Sequence, residues 1–251
     1  MGTNRISHPH EIEIAPDTRS LAERATRRFL HLLGSALRIR DRFTVALAGG
    51  STPRQLFSLL AEKKLDWEGV HFFWGDERCV PPDAADSNFR MADESLLSHA
   101  SIPEENIHRI HGELPAEKAA IEYKDELHRF FGYQPPRFDL ILLGLGDDGH
   151  TASLFPGSPL VQEQARWVAA VEHPLPPPPM VDRVTLTPPV LNAAANILFL
   201  VTGEEKAARL AQVLQGPNHP DLLPAQIVAP ENGHICWLVD KAEAGKLIPK
   251  E

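Results

Sequence analysis

Residues 138–143 (FDLILL) form an apolar run that breaks directly into the glycine-rich turn 144–150. An apolar run of strand length is typical of a strand that is buried on both faces, as strands of parallel sheets are. Ligand sites of such sheets lie in the crevice beyond the carboxyl ends of the strands. The run therefore predicts an α/β fold with His150, the last residue of the turn, at the edge of a crevice.

Strand patterns and helix patterns alternate along the rest of the chain. Further strands are predicted at residues 43–48, 70–74, 107–110, 166–171, 181–186, 196–201 and 235–239, and a polar loop at 75–87. Helices are predicted at residues 17–40, 54–64, 88–99, 115–131, 188–195 and 204–214. The alternation predicts a three-layer, doubly wound α/β fold, a mostly parallel sheet with helices on both faces. We expect residues 1–251 to form a single domain, with at most a small excursion at residues 174–179, a proline-rich segment predicted to be extended on the surface.

Charge and hydropathy narrow the kind of partner that this chain binds. The formal net charge of −9 disfavours general binding to nucleic acid or to anionic membranes. No apolar run approaches the roughly 20 residues that cross a membrane, and the N-terminus lacks a signal-peptide core. Cys79 and Cys236 provide no disulfide framework. We therefore expect a cytoplasmic protein with reduced thiols, with a monomer favoured, that holds any anionic ligand in a local basic pocket.

A first polar turn, Gly49, Gly50, Ser51 and Thr52, connects a predicted strand to a predicted helix. Its free backbone N–H groups, its two hydroxyls and the positive end of the helix dipole suit a phosphate group. The turn lacks the lysine of a P-loop, and Pro53 stands where a nucleophile elbow has its last glycine. An ordinary capped helix is the alternative.

A second polar turn, residues 75–78 (GDER), follows the next predicted strand. Arg78 suits bidentate binding of a phosphate, and Asp76 suits a substrate hydroxyl. Arg183, near the end of another predicted strand, and Lys206, early in a predicted helix, add positive charge. Each residue alone is typical of a solvated surface, but in a parallel sheet these turns converge on one edge.

The turn that ends at His150 matches the glycine pattern of dinucleotide-binding folds. That interpretation fails because Pro156 and Pro159 stop the helix that would receive a pyrophosphate, and Asp147 and Asp148 would repel it. A metal site is disfavoured because neighbouring acids point apart and no second histidine lies at ligand spacing. Proton chemistry at His150 and simple hydrogen bonding within the turn are the interpretations that remain.

Taken together, these residues resemble the 6-phosphogluconolactonase family, which is similar to the glucosamine-6-phosphate deaminases. The most specific match is the run from Asp148 to Pro156, and Ala48 departs from the pattern where many members have serine. The matching segments extend from about residue 45 to residue 206: 47–53, 74–78, 87–88, 144–156, 183–187, 201–203 and Lys206.

The resemblance implies hydrolysis of 6-phospho-D-glucono-1,5-lactone, with His150 as the general base that activates a water. It implies that Asp148 orients the imidazole, with Asp147 as the alternative, and that Arg183 stabilises the oxyanion. The sugar phosphate is expected to bind to Gly49, Gly50, Ser51, Thr52, Asp76, Arg78, Asn88 and Lys206. A lactone is an activated ester, so no metal and no cofactor is expected.

Two other functions remain open. A sugar-phosphate deaminase or isomerase is one, although the deaminases carry a glutamate before the proline where this chain has Phe155. A non-catalytic sugar-phosphate sensor is the other, although no basic helix-turn-helix segment is visible.

Overall fold

The predicted parallel sheet is present at the centre of the molecule. A computed structural model describes residues 11–173 and 177–247. Within these ranges six strands, numbered along the chain, pair in parallel in the spatial order β1 (Glu11–Ala15), β9 (His234–Asp240), β8 (Asn196–Val201), β5 (Leu140–Leu143), β2 (Phe43–Leu47) and β3 (Val70–Trp74). Every residue of β2 and β5 is buried, as their apolar runs predict for strands covered on both faces.

Helices cover the two faces of this sheet. α1 (Thr18–Arg40) connects β1 to β2, and α2 (Ser51–Ala61) connects β2 to β3, so both cross the sheet in the direction of its β3 edge. α6 (Ala207–Gln215) connects β8 to β9 and crosses in the direction of the β1 edge. Because parallel crossovers are right-handed, α1 and α2 lie on one face and α6 on the other. The remaining α-helices of the described ranges are α3 (Asn88–Ser95), α4 (Ala116–Phe131) and α5 (Pro188–Leu191). None of the helices described is long and apolar enough to span a membrane.

The first helix follows directly from local sequence signals. The carboxylate of Asp17 caps its N-terminus by accepting a hydrogen bond from the backbone N–H of Ser20 at 2.7 Å. The apolar side chains that recur at helical spacing are buried: Leu21, Ala25, Phe29, Leu33 and Ala36.

A second, antiparallel sheet lies beside the first and was not predicted. It contains β4 (Asp76–Arg78), β7 (Arg183–Leu186) and β6 (Val168–Val171), with β7 in the middle. All three residues of β4 are charged, so no strand pattern marks them within the predicted polar loop. Arg183 is the first residue of β7, so its predicted position near the end of a strand is wrong. Because β7 runs antiparallel to β4, this first residue pairs with Arg78, the last residue of β4.

Some predicted boundaries are wrong. α2 begins at Ser51, three residues before the predicted start, because Pro53 fits within a first helical turn. The predicted strand at 107–110 is reduced to one parallel bridge between Ile107 and Phe72. Strand β1, at the sheet edge, was not predicted. Residues 174–176 of the predicted proline segment lie outside the described residues.

Candidate active site

A cavity of about 310 Å³ opens at the carboxyl ends of β2, β3 and β5. The chain leaves the adjacent strands β2 and β5 in opposite directions, and doubly wound sheets bind their ligands at such a point. All three predicted turns contribute to the cavity lining. Every predicted site residue except Asp148 lines the cavity directly: Gly49, Gly50, Ser51, Thr52, Asp76, Arg78, Asn88, His150, Arg183 and Lys206.

The turn after β2 presents the N-terminus of α2 to the cavity. Gly50 precedes the helix with a φ of 106°, a conformation that favours glycine, and no side chain caps the helix. The hydroxyl groups of Thr52 and Thr202 are 2.8 Å apart, which ties this turn to the end of β8. The backbone N–H groups of an uncapped helix start are suited to an anion.

The turn after β3 is tied to both of its neighbours. The Asn88 side chain donates a hydrogen bond to the backbone oxygen of Asp76 at 2.9 Å, and a Cβ on Gly49 would lie 1.9 Å from Asn88 Oδ1. Asp76 Oδ2 accepts a hydrogen bond from the buried hydroxyl of Ser153 at 2.5 Å. Asp76 thus links two of the turns as well as lining the cavity, a link that no local sequence signal indicates.

Glu77, which the sequence analysis did not single out, holds the start of α3. Its buried carboxylate accepts hydrogen bonds from the backbone N–H groups of Asn88 and Phe89, each at 2.7 Å, and from the Ser87 hydroxyl at 3.1 Å. Burial raises the pKa of Glu77 to about 7, against hydrogen bonds that favour the ionised form. The carboxylate sets the position of Asn88 in the cavity wall.

Arg78 of β4 and Arg183 of β7 are paired in the antiparallel sheet, and both line the cavity. Arg78 Nη1 donates to the backbone oxygen of Asp86 at 2.6 Å, and Arg183 Nη2 to that of Pro179 at 3.2 Å. Both Nε atoms are buried without a hydrogen-bond partner in the described part of the chain. Burial lowers the pKa of Arg183, and the neighbouring Asp76 opposes that effect. Two adjacent guanidinium groups in the cavity wall are suited to an anionic ligand.

His150 and Asp148 form a hydrogen-bonded pair in the turn after β5. His150 Nδ1 lies 2.6 Å from Asp148 Oδ1, and the backbone N–H of His150 donates to the same oxygen at 3.0 Å. A Cβ on Gly146 would lie 2.2 Å from His150 Nδ1, so a glycine is needed beneath the imidazole. Asp148, not Asp147, is the residue whose carboxylate hydrogen-bonds the imidazole ring.

The hydrogen bond to Asp148 uses Nδ1 of the His150 ring, so Nε2 is the ring nitrogen that remains for a substrate or a water molecule. Burial alone would raise the pKa of Asp148, but hydrogen bonding to His150 outweighs burial and holds that pKa below its usual value. An ionised Asp148 accepts from Nδ1–H, which leaves the lone pair of the imidazole on Nε2. Such a nitrogen can take a proton from a water molecule.

Metal-ligating side chains cluster elsewhere. In the described ranges, the group close enough to share an ion is Glu11, Glu13 and Cys236, on β1 and β9. None of the three lines the cavity, and Arg28 forms ion pairs with both glutamates. The cavity itself offers acid–base and cationic groups.

A family model, curated proteins and solved structures that are similar to this chain all indicate the same family. The family model described as glucosamine-6-phosphate isomerases/6-phosphogluconolactonase matches residues 16–237. The 6-phosphogluconolactonase of Nostoc sp. is 40% identical over 242 residues, which cover 94% of this chain and 98% of that protein. The human 6-phosphogluconolactonase is 42% identical over 215 residues, covering 82% of this chain and 81% of that protein. The crystal structure of 6-phosphogluconolactonase from Thermotoga maritima superposes with a TM-score of 0.81 at 35% identity, covering 93% of this chain and 100% of that one.

Proposed function

The chain belongs to the glucosamine-6-phosphate isomerase/6-phosphogluconolactonase family, and we propose that it hydrolyses 6-phospho-D-glucono-1,5-lactone to 6-phosphogluconate. The observation that carries this proposal is the 2.6 Å hydrogen bond between His150 and Asp148 beside a cavity rich in cations and helix N–H groups. A base and an anion site in one cavity are what a phosphorylated lactone requires.

His150 is the general base in this mechanism. Its Nε2 takes a proton from a water whose oxygen attacks the lactone carbonyl, and the carbonyl oxygen becomes the oxyanion of a tetrahedral intermediate. Arg183, which lines the cavity, stabilises the oxyanion through its guanidinium group. The intermediate then collapses, the bond to the ring oxygen breaks, and the protonated imidazole returns the proton to that oxygen.

The phosphate binds where the turn after β2 lines the cavity. The N-terminus of α2 offers its N–H groups at Ser51 and Thr52, and Arg78 and Lys206 supply positive charge. These contacts are equal in the ground state and the transition state, so they position the substrate more than they accelerate the chemistry.

The deaminase or isomerase activity in the family name is the competing function. Opening and isomerising an amino sugar needs several proton transfers, and Phe155 next to His150 has no proton to transfer. Lactone hydrolysis needs one activated water and one stabilised oxyanion, which the described cavity supplies.

The test is to follow hydrolysis of freshly generated 6-phosphogluconolactone above its spontaneous rate. Ammonia release from glucosamine 6-phosphate is measured in parallel with the same protein. We expect lactone hydrolysis and no ammonia. Stoichiometric ammonia at a rate comparable with lactone hydrolysis would favour the deaminase, and neither reaction would favour a sensor.

We further propose a cytoplasmic, single-domain monomer. The support is that Cys79 and Cys236 are free thiols and that the residues of one chain line the cavity. Light scattering during gel filtration should give a mass near 27.8 kDa, and a stable dimer would contradict the monomer.

A further inference from the structure

Phe155 lies between two imidazole rings, one of which, that of His150, lines the cavity. Its ring centroid is 4.7 Å from that of His150 and 4.2 Å from that of His173, which is nearly parallel to it at 13°. We call His150, Phe155 and His173 the ring stack. The guanidinium carbon of Arg183 lies 5.4 Å from the Phe155 centroid, over its ring. One half-buried phenyl ring therefore contacts both the base and the cation assigned to the oxyanion.

The far side of the ring stack is held by residues that lie between β6 and β7. His173 is buried just beyond β6, and its Nε2 lies 2.6 Å from the backbone oxygen of Pro177, to which it donates. Its backbone N–H donates to Asp182 Oδ1 at 3.3 Å. His173 is thus held at two points and forms a rigid support for Phe155.

Each of the two groups that Phe155 contacts makes a single side-chain hydrogen bond within the described part of the chain. The imidazole of His150 is bound to Asp148 through one ring atom, and a hydrogen bond through a single atom does not by itself fix the plane of the ring. Arg183 makes one side-chain hydrogen bond, at 3.2 Å, in the described part of the chain. The Phe155 ring packs against His150 at an interplanar angle of 47° and lies under the guanidinium of Arg183, and each contact adds a restraint on the orientation of its partner.

From these contacts we propose that Phe155, supported by His173, is a positioning residue that sets the planes of His150 and Arg183 for the attack on the lactone. The proposal rests on the lactonase function for its kinetic consequence. It adds Phe155 and His173 to the residues on which that function depends, as residues that act through His150 and Arg183 and not on the substrate.

Replacing the ring tests the proposal. Phe155→Leu keeps an apolar side chain but removes the ring contacts with His150 and Arg183. We expect kcat to fall by about 10-fold to 100-fold, the size of effect that misplaced catalytic groups cause, with KM little changed. Phe130→Leu is the matched control. Phe130 is also half-buried, lies 5.1 Å from the His108 ring with Arg42 over its face at 5.4 Å, and does not line the cavity. We expect its kcat to equal that of the wild type.

Two variants of His173 keep the proposal testable if Phe155→Leu does not fold. His173→Phe keeps a ring against Phe155 but loses the hydrogen bond to Pro177, whereas His173→Gln keeps a donor for Pro177 but loses the ring. We expect kcat to fall in His173→Gln and to be nearly retained in His173→Phe. The reverse order would assign the effect to the hydrogen bond and overturn the proposal.

A measurement without turnover separates this proposal from the proposed function. The NMR resonances of the His150 ring, assigned by their loss in His150→Ala, should shift in Phe155→Leu because the ring current of Phe155 is removed, and should not shift in Phe130→Leu. Unmoved His150 resonances together with wild-type kcat would overturn the proposal. A wild-type protein without lactonase activity would instead overturn the proposed function, and the NMR comparison would still decide the ring contact.

Discussion

At the scale of single residues, the His150 ring is hydrogen-bonded to Asp148 through Nδ1 and has Nε2 available to accept a proton. His150→Ala removes the base and leaves the phosphate contacts in place. We expect kcat to fall by about 10²- to 10⁴-fold, the usual contribution of a general base, while 6-phosphogluconate still binds. Steady-state kinetics and calorimetric titration of 6-phosphogluconate measure the two effects. A variant with near-native turnover would remove His150 from the mechanism.

The two neighbouring arginines are expected to differ in their kinetic signatures. Arg78→Ala should raise KM about 10-fold to 100-fold, the equivalent of a charged hydrogen bond, with kcat largely retained, because uniform binding is lost. Arg183→Ala should lower kcat, because its contact strengthens as the oxyanion forms. Kinetics of the two variants under identical conditions check both expectations. An unchanged KM with a collapsed kcat in Arg78→Ala would exchange the two roles.

At the scale of elements, α1 contains a glycine that it does not need. Gly34 is exposed in the middle of the helix, and a Cβ there would meet nothing within 4 Å. Gly34→Ala should raise the free energy of unfolding by about 0.5–1 kcal/mol, since alanine loses less backbone entropy on folding. Urea denaturation with an unchanged m-value measures this, and kcat should not change. A destabilised variant would mean that the helix is not regular at Gly34.

β3 and α4 enclose a histidine pair that makes stability depend on pH. His71 Nδ1 lies 3.2 Å from His108 Nε2, and His108 Nδ1 lies 2.7 Å from Glu126. Burial lowers the pKa of His71 to about 4, and the nearby His108 and Arg42 add to the effect. Burial also lowers the pKa of His108. At these two histidines, whose pKa in the unfolded chain is about 6.5, the unfolded chain therefore binds more protons than the folded chain between pH 4 and 6.5.

The sign of this linkage leads to a prediction. The contribution of His71 is fully present above pH 6.5 and is lost as the pH falls toward 4. Urea denaturation at pH 7 and pH 5 should show a larger loss of stability in the wild type than in His71→Phe, which keeps a ring beside Phe130. Equal losses in the two proteins would mean that His71 does not contribute.

At the scale of the whole molecule, the two sheets are joined at the cavity. The backbone N–H of Leu186 in β7 donates to the oxygen of Gly75 after β3 at 2.8 Å, and Ser153 hydrogen-bonds Asp76. α4 packs on both β6 and β7. We expect one cooperative unfolding transition, with coincident curves from far-UV circular dichroism and from the fluorescence of Trp167, isolated by replacing the other tryptophans. Separate transitions would divide the chain into two units.

Much of this arrangement is visible in the sequence because its causes are local. Buried parallel strands such as β5 require apolar residues on both faces, and the turns after them require particular residue types. Helix caps such as Asp17 act within a few residues. Local patterns therefore predicted the sheet, most helices and the three turns that line the cavity.

Tertiary contacts decided the rest. Strand β4 consists of charged residues and exists because β7, more than 100 positions away, pairs with it. The hydrogen bond of His150 to Asp148, and the space that Gly146 leaves for that pair, depend on how the turn after β5 folds. Glu77 at the start of α3, and His173 behind Phe155, act through neighbours from other segments. Such pairings depend on which surfaces the folded chain brings together, and no short stretch of sequence records them.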